Sequence, residues 1–155
     1  MSLKLVIFDV DGLLLDTERV WQDVWYDTAR EFGIDDWKRE DFLNVVGRSG
    51  QPVYDYMEEQ FRGRCSTEEF MEVARRNGME RLERELRVKP GAVELLNCIK
   101  KAGLPCAVAT ATGRPLTEER LTRLQLIQYF DYICCGDEVV ERKPSPEAYL
   151  KVLAK

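Results

Sequence analysis

The sequence predicts an α/β protein, a parallel sheet interrupted by one long, all-helical insertion. Three observations predict it. Residues 3–8 are apolar and β-branched apart from Lys4, the composition of a strand buried on both faces. Residues 16–89 then carry only helical periodicity. From Lys89-Pro90-Gly91 onward helix and strand patterns alternate, as the crossovers of a parallel sheet require.

After the first strand the period changes at Thr17. Val20, Trp21, Val24, Trp25, Ala29 and Phe32 recur every three or four residues, and Gly33 stands where the helix should stop. One helical face accounts for Trp21, Trp25 and Phe32 as core of the insertion. Further helices are predicted over 38–46, ending at Gly47, and over 52–61, where Pro52 suits a first turn. Ser66 stands three residues before Glu69, the spacing of a capping box, and opens a helix carrying Phe70, Val73 and Ala74; Asn77-Gly78 predicts a break in it before Leu82 and Leu86. Beyond Pro90-Gly91 the expected order is a helix over 92–102, a strand over 105–109, a helix over 116–126 and a strand over 132–135. A last helix follows, with Ser145 as N-cap and Pro146 as its first residue. The predicted domains are 1–15 with 90–155 as a discontinuous core, and 16–89 as a helical cap. Since the insertion joins the sheet at only two places, hinges are expected near 16–18 and 89–91.

Composition excludes several function classes. The 155 residues, 45% of them hydrophobic, suffice for a core with a small accessory domain. The net charge of −5 comes from 23 basic and 28 acidic residues with no basic stripe, so no nucleic-acid partner is expected. No run approaches the roughly 18 apolar residues that span a bilayer, and no charged-then-apolar leader opens the chain. A cytoplasmic protein without a membrane partner is expected. Cys65, Cys98, Cys106, Cys134 and Cys135 are odd in number and form no C-x-x-C pair, which predicts packing groups rather than disulfides or a zinc site. Histidine is absent, so Ser-His and Cys-His nucleophile systems and imidazole-bound metals are ruled out.

The chemistry-bearing residues stand at the predicted strand ends. The first strand delivers Asp9 and Asp11, the second Thr110-Ala111-Thr112-Gly113, and the loop after the third Lys143-Pro144. In parallel sheets ligands bind beyond the carboxyl ends of the strands, so neighbouring strands bring these tips to one crevice. Two adjacent carboxylates are tolerable if a divalent cation and a lysine sit beside them, and such a site suits an oxygen-rich anion such as phosphate. Asp9 is then the nucleophile toward phosphorus, and Asp11 the general acid and base. Gly12 permits the tight turn that lets amides face the phosphoryl oxygens. Thr110 donates its hydroxyl to the same oxygens, and Lys143 neutralises nucleophile and phosphoryl group together.

The stretch FDVDGLLLDTE, with VATAT and ERKPSPEAYL at their present spacings, resembles the haloacid dehalogenase superfamily in its helical-cap subgroup, typified by β-phosphoglucomutase and small-molecule phosphatases. The resemblance implies a Rossmann-like core, an aspartyl-phosphate on Asp9, Asp11 as acid and base, and Mg²⁺ held by the Asp9 side chain and the Asp11 main-chain carbonyl. It places Thr110, Ala111, Gly12 and Lys143 around the phosphate. Arg48 and Ser49 fall in a cap loop that selects substrate, and Arg114 is a candidate for a distal substrate group. Asp137-Glu138 lie in a loop that the family uses without metal contact. The family's fourth motif, an acidic pair completing the Mg²⁺ shell, lies on a strand beyond Lys155. A C-terminal segment or a partner chain is therefore expected to complete the sheet and the metal site, with a monomer otherwise.

The function expected first is a Mg²⁺-dependent phosphatase acting on a small phosphorylated metabolite. A phosphosugar mutase is the alternative, although β-phosphoglucomutase carries a histidine early in the cap where this chain has Trp21. A dehalogenase is disfavoured because those relatives lack the second aspartate. A catalytically incomplete fragment or binding module is the reading from another class.

Overall fold

Three short parallel strands, β1 (Val6–Phe8), β2 (Cys106–Ala109) and β3 (Tyr132–Cys134), form a sheet in the order β1-β2-β3. The structure, a computed structural model, describes residues 3–46 and 50–155. Val6 pairs with Cys106 and Val108 with Ile133. The first strand is shorter than its apolar run because the ladder meets Pro105, whose carbonyl accepts from the Val6 amide at 3.0 Å but which has no N–H to carry the pairing further back.

The chain divides into two compact units, Met1–Asp16 with Arg87–Lys155, and Thr17–Leu86. In the first unit the sheet is accompanied by α4 (Ala92–Lys101), α5 (Arg114–Arg123) and α6 (Glu147–Leu153). Ala148 and Val152 of α6 pack on Ala107, Ala109 and Cys134, small residues that let a helix lie close to the strands. α5 begins at Arg114, two residues before the apolar pattern does, because its first two residues, Arg-Pro, carry no core side chain. α6 begins one residue late; Pro146 is its N-cap, and the Ser145 hydroxyl accepts from the Glu147 amide at 3.4 Å.

The two segments bordering the insertion run antiparallel inside the first unit. The Asp16 amide donates to the Arg87 carbonyl at 2.9 Å, the Lys89 amide to Leu14 at 2.8 Å, and Leu15 bridges Val88. Leu14 and Leu15 are fully buried there.

The second unit comprises α1 (Thr17–Glu31), a 3₁₀ turn (Arg39–Asn44), α2 (Gln51–Phe61) and α3 (Thr67–Glu85). Its core is aromatic. Trp25 meets Phe42 edge-on at 5.2 Å and Phe70 edge-on at 5.8 Å between ring centroids, and Phe61 meets Phe70 in a tilted arrangement at 4.7 Å, separations at which aromatic rings attract. Trp25 is buried, whereas Trp21 and Phe32 are half-buried. Ile34 and Trp37, from the connection after α1, add to the core. The helix expected over 38–46 is a 3₁₀ turn, closed by Val45 donating back to Phe42 and by the Asp41 carboxylate accepting from the Lys38 amide at 2.8 Å. Ser66 caps α3 as its spacing predicts, accepting from the Glu69 amide at 3.3 Å.

The break expected at Asn77-Gly78 does not occur, and α3 runs unbroken through it. Gly78 is fixed by packing rather than by a turn, since a Cβ there would overlap the six-membered ring of Trp21. Among the described residues, no helix is long and apolar enough to cross a membrane.

Gly78→Ala reports on this contact through its sign. Helix propensity alone favours alanine by about 1 kcal/mol, while overpacking against a ring costs about 1–3 kcal/mol. A net loss of stability is expected in urea denaturation, and a raised midpoint would show that Trp21 yields freely.

Candidate active site

Asp9 follows the last residue of β1, with its side chain 41% exposed. Its Oδ1 accepts from the Val10 amide at 2.9 Å and from the Lys143 ammonium at 3.1 Å. Lys143 also donates to the Ala109 carbonyl at 2.9 Å and stands 5.1 Å from the Tyr149 ring centre. One ammonium from the loop after β3 thus ties the tip of β1 to the end of β2. Burial is the largest influence on this lysine and favours its neutral form, but the Asp9 carboxylate and the Tyr149 hydroxyl together outweigh it and hold the pKa above the ordinary lysine value. The Lys143–Pro144 peptide is cis.

Asp11 has a different cation. Its Oδ1 accepts from Arg120 Nη1 at 3.2 Å and its Oδ2 from the Thr112 hydroxyl at 2.7 Å. Arg120, 5% exposed, is the one fully buried charged residue among those described. Burial pulls its guanidinium below the usual arginine value, against the opposing pull of Asp11.

Gly12 turns the chain with a φ of 76°, in the left-handed region that favours glycine. Its amide does not face outward as expected. It donates to the Leu15 carbonyl at 2.9 Å, closing the turn, while the Gly12 carbonyl accepts from Lys89 Nζ at 2.9 Å.

After β2, Thr110 is only 1% exposed. Its amide donates to the Cys134 carbonyl at 3.0 Å and its hydroxyl oxygen accepts from the Thr112 amide at 3.2 Å, leaving the O–H as a donor. Ala111 is exposed at the top of the loop. Gly136 makes the meeting of the two loops possible, because a Cβ there would overlap the Ala111 carbonyl, and its amide donates to the Thr112 carbonyl at 2.9 Å.

Arg114 is not free to meet a substrate group. Its terminal nitrogens donate to Glu118 at 2.6 Å, Glu138 at 2.7 Å and the Ile133 carbonyl at 2.6 Å. Its amide meets both oxygens of Asp137, at 3.0 and 3.1 Å, so Asp137 caps an α5 whose own N-cap, Gly113, has no side chain to do so. Cys135, Asp137 and Glu138 are close enough together to share a cation. Their donors are otherwise occupied, however. Glu138 accepts from the Cys135 amide at 2.7 Å as well as from Arg114, and burial pushes the Cys135 thiol up to about 11.

The structure therefore gathers Asp9, Asp11, Thr110 and Lys143 at the carboxyl ends of the strands, holds Arg114 elsewhere, and leaves Arg48 and Ser49 outside the described residues. Sequence reasoning missed Arg120, Gly136 and Tyr149, and gave Thr112 no role beyond its place at the end of β2. Arg120 shares a helical face with Thr117 and Leu121, both fully buried.

Oxygen donors suited to a hard cation are present. Both partners of Asp9 meet Oδ1, so among the described residues none lies on Oδ2. With the Asp11 main-chain carbonyl this makes two oxygens of the kind Mg²⁺ accepts, since that ion is commonly held by one or two carboxylates together with waters and substrate phosphate.

The haloacid dehalogenase-like hydrolase profile matches residues 6–155. The chain belongs to this family. A phosphorylated carbohydrates phosphatase of Thermotoga maritima is 33% identical over 156 residues, with 99% of this chain and 70% of that protein aligned. Hexitol phosphatase B of Escherichia coli is 29% identical over 156 residues, at 99% and 70% coverage. Among solved structures, CbbY of Rhodobacter sphaeroides in complex with phosphate superposes with a TM-score of 0.65 at 26% identity, covering 99% of this chain and 72% of that one.

In this haloacid dehalogenase-like hydrolase, Gly136→Ala is expected to cost about 1–3 kcal/mol, because backbone rather than a flexible side chain must give way. Denaturant unfolding measures it. A cost near zero would show that the loops after β2 and β3 are not held in register by this contact.

Proposed function

We propose that the chain is a Mg²⁺-dependent phosphoric monoester hydrolase for a small phosphorylated carbohydrate, working through an aspartyl-phosphate on Asp9. The observation that carries this reading is the Lys143–Asp9 pair at 3.1 Å, with the acid/base candidate Asp11 two residues on and separately held. The names of the two relatives supply the substrate class.

Each residue then has one task. Asp9 attacks phosphorus; the Asp9 O–P bond forms as the bond from phosphorus to the ester oxygen breaks, and Asp11 gives that oxygen its proton. Water next attacks the phosphorus of the acyl phosphate and surrenders its proton to Asp11, releasing phosphate and restoring the Asp9 carboxylate. Lys143 stays beside the Asp9 oxygen and offsets negative charge gathering on the phosphoryl group, while the Thr110 O–H is positioned as a further donor. Mg²⁺, held by Asp9 and the Asp11 carbonyl, supplies further charge neutralisation when bound. Arg48 and Ser49 are assigned substrate selection on resemblance alone. The mutase alternative is disfavoured by the absence of any histidine in the 155 residues.

Phosphate release from a panel of phosphorylated sugars and sugar alcohols, with and without Mg²⁺, tests the activity. Asp9→Asn should abolish release without lowering the melting temperature, since the amide is nearly isosteric but not nucleophilic. Substantial turnover by that variant would refute the nucleophile assignment. Lys143→Ala should lose about a hundredfold or more in kcat, the scale of a lost charge-stabilising donor. Near-normal rates would mean that the ammonium does not act on the phosphoryl group.

A further inference from the structure

We propose that Arg120 is a positioning residue for Asp11, keeping that carboxylate off the Lys143–Asp9 pair so that the nucleophile has an ammonium to itself. The role of Asp11 as acid and base rests on the phosphatase reading; the placement of its carboxylate does not.

Arg120 lies on the buried face of α5 beside Thr117 and Leu121. A guanidinium in such a place is costly unless it is paired, and its carboxylate partner here is Asp11. The second donor, the Thr112 hydroxyl, comes from the loop that leads into the same helix. With Arg120 on Oδ1 and Thr112 on Oδ2, both oxygens of Asp11 are fixed from one side, and the plane of the carboxylate is set by two rigidly attached groups. Asp11 itself sits next to Gly12, whose φ of 76° turns the chain after β1. Released from Arg120, it would be drawn to the other cations at this end of the sheet, Lys143 on Asp9 and Lys89 on the Gly12 carbonyl. Capture of Lys143 would take from Asp9 the charge that steadies it. Whenever Asp11 is ionised, two like charges are thereby kept on two separate cations.

Crystal structures of the chain and of Arg120→Met and Arg120→Lys read the position of Asp11 without any turnover. In Arg120→Met the carboxylate is expected to leave Thr112 and turn toward an ammonium, whereas Arg120→Lys should keep it in place. An Asp11 side chain unmoved in Arg120→Met overturns the proposal. Should Arg120→Met fail to fold, Thr112→Val decides: Asp11 is expected to remain on Arg120, and its departure would show that Arg120 does not hold it. In steady-state assays Arg120→Met should lower kcat about tenfold or more with KM within about twofold, and Arg120→Lys should recover part of the loss, as for a group that orients the chemistry without binding substrate. Unchanged kcat with a raised KM would also overturn it. A wild-type chain that releases phosphate from no ester counts against the phosphatase reading alone, and the crystals still settle the role of Arg120.

Discussion

Two carboxylates placed two residues apart at the end of a strand repel each other, and the loops of the sheet-bearing unit are arranged around that repulsion. Lys143 reaches Asp9 from the loop after β3, and Arg120 reaches Asp11 from α5. Neither cation is near β1 in sequence. β2 must therefore lie between β1 and β3, and the loops after β2 and β3 must meet closely enough for Lys143 to span both the Asp9 carboxylate and the Ala109 carbonyl. Gly136 supplies the closeness, since a side chain there would hold the two loops apart.

The two cations differ in a way that follows from their surroundings. The Lys143 side chain keeps 24% of its surface and has Asp9 and Tyr149 beside it, so its charge is favoured despite partial burial. The Arg120 side chain keeps 6%, and there burial outweighs the attraction of Asp11 and Glu119 together. Arginine tolerates this because its guanidinium keeps its proton far above physiological pH, where a buried lysine would be at risk of losing it. The deeper cation is the one whose charge is hardest to remove.

How far each feature was legible depended on whether its cause was local. The strand running into Asp9 and Asp11, the caps at Ser66 and Gly33, and the positions of Thr110 and Lys143 at strand ends rest on near neighbours in the chain, and the sequence displayed them. Gly78 did not read correctly because its reason is a ring 57 positions earlier, Trp21, and a glycine in a helix looks like a break until that ring is seen. Arg114 and Asp137 resemble exposed charged residues in the sequence, yet they cap and brace α5 against the loop after β3. Arg120 was hidden because an arginine in a helix is ordinarily solvated, and its partner lies on another element far away in the chain. The inward turn of the Gly12 amide was likewise invisible, since a glycine announces a bend but not which carbonyl closes it.

The antiparallel pairing of Leu14–Asp16 with Arg87–Lys89 bears on how this chain can fold and diverge. Clamping the two ends side by side makes the whole stretch between them a closed loop, and the entropy of closing a flexible loop grows only logarithmically, by about 0.6 kcal/mol for each doubling of length. The sheet thus pays little more for a long excursion than for a short one, once the hydrogen bonds at its base are made. An excursion held this way can lengthen, shorten or change its internal packing without altering the register of the strands below, so mutational tolerance should be greater inside it than at the six residues of its base.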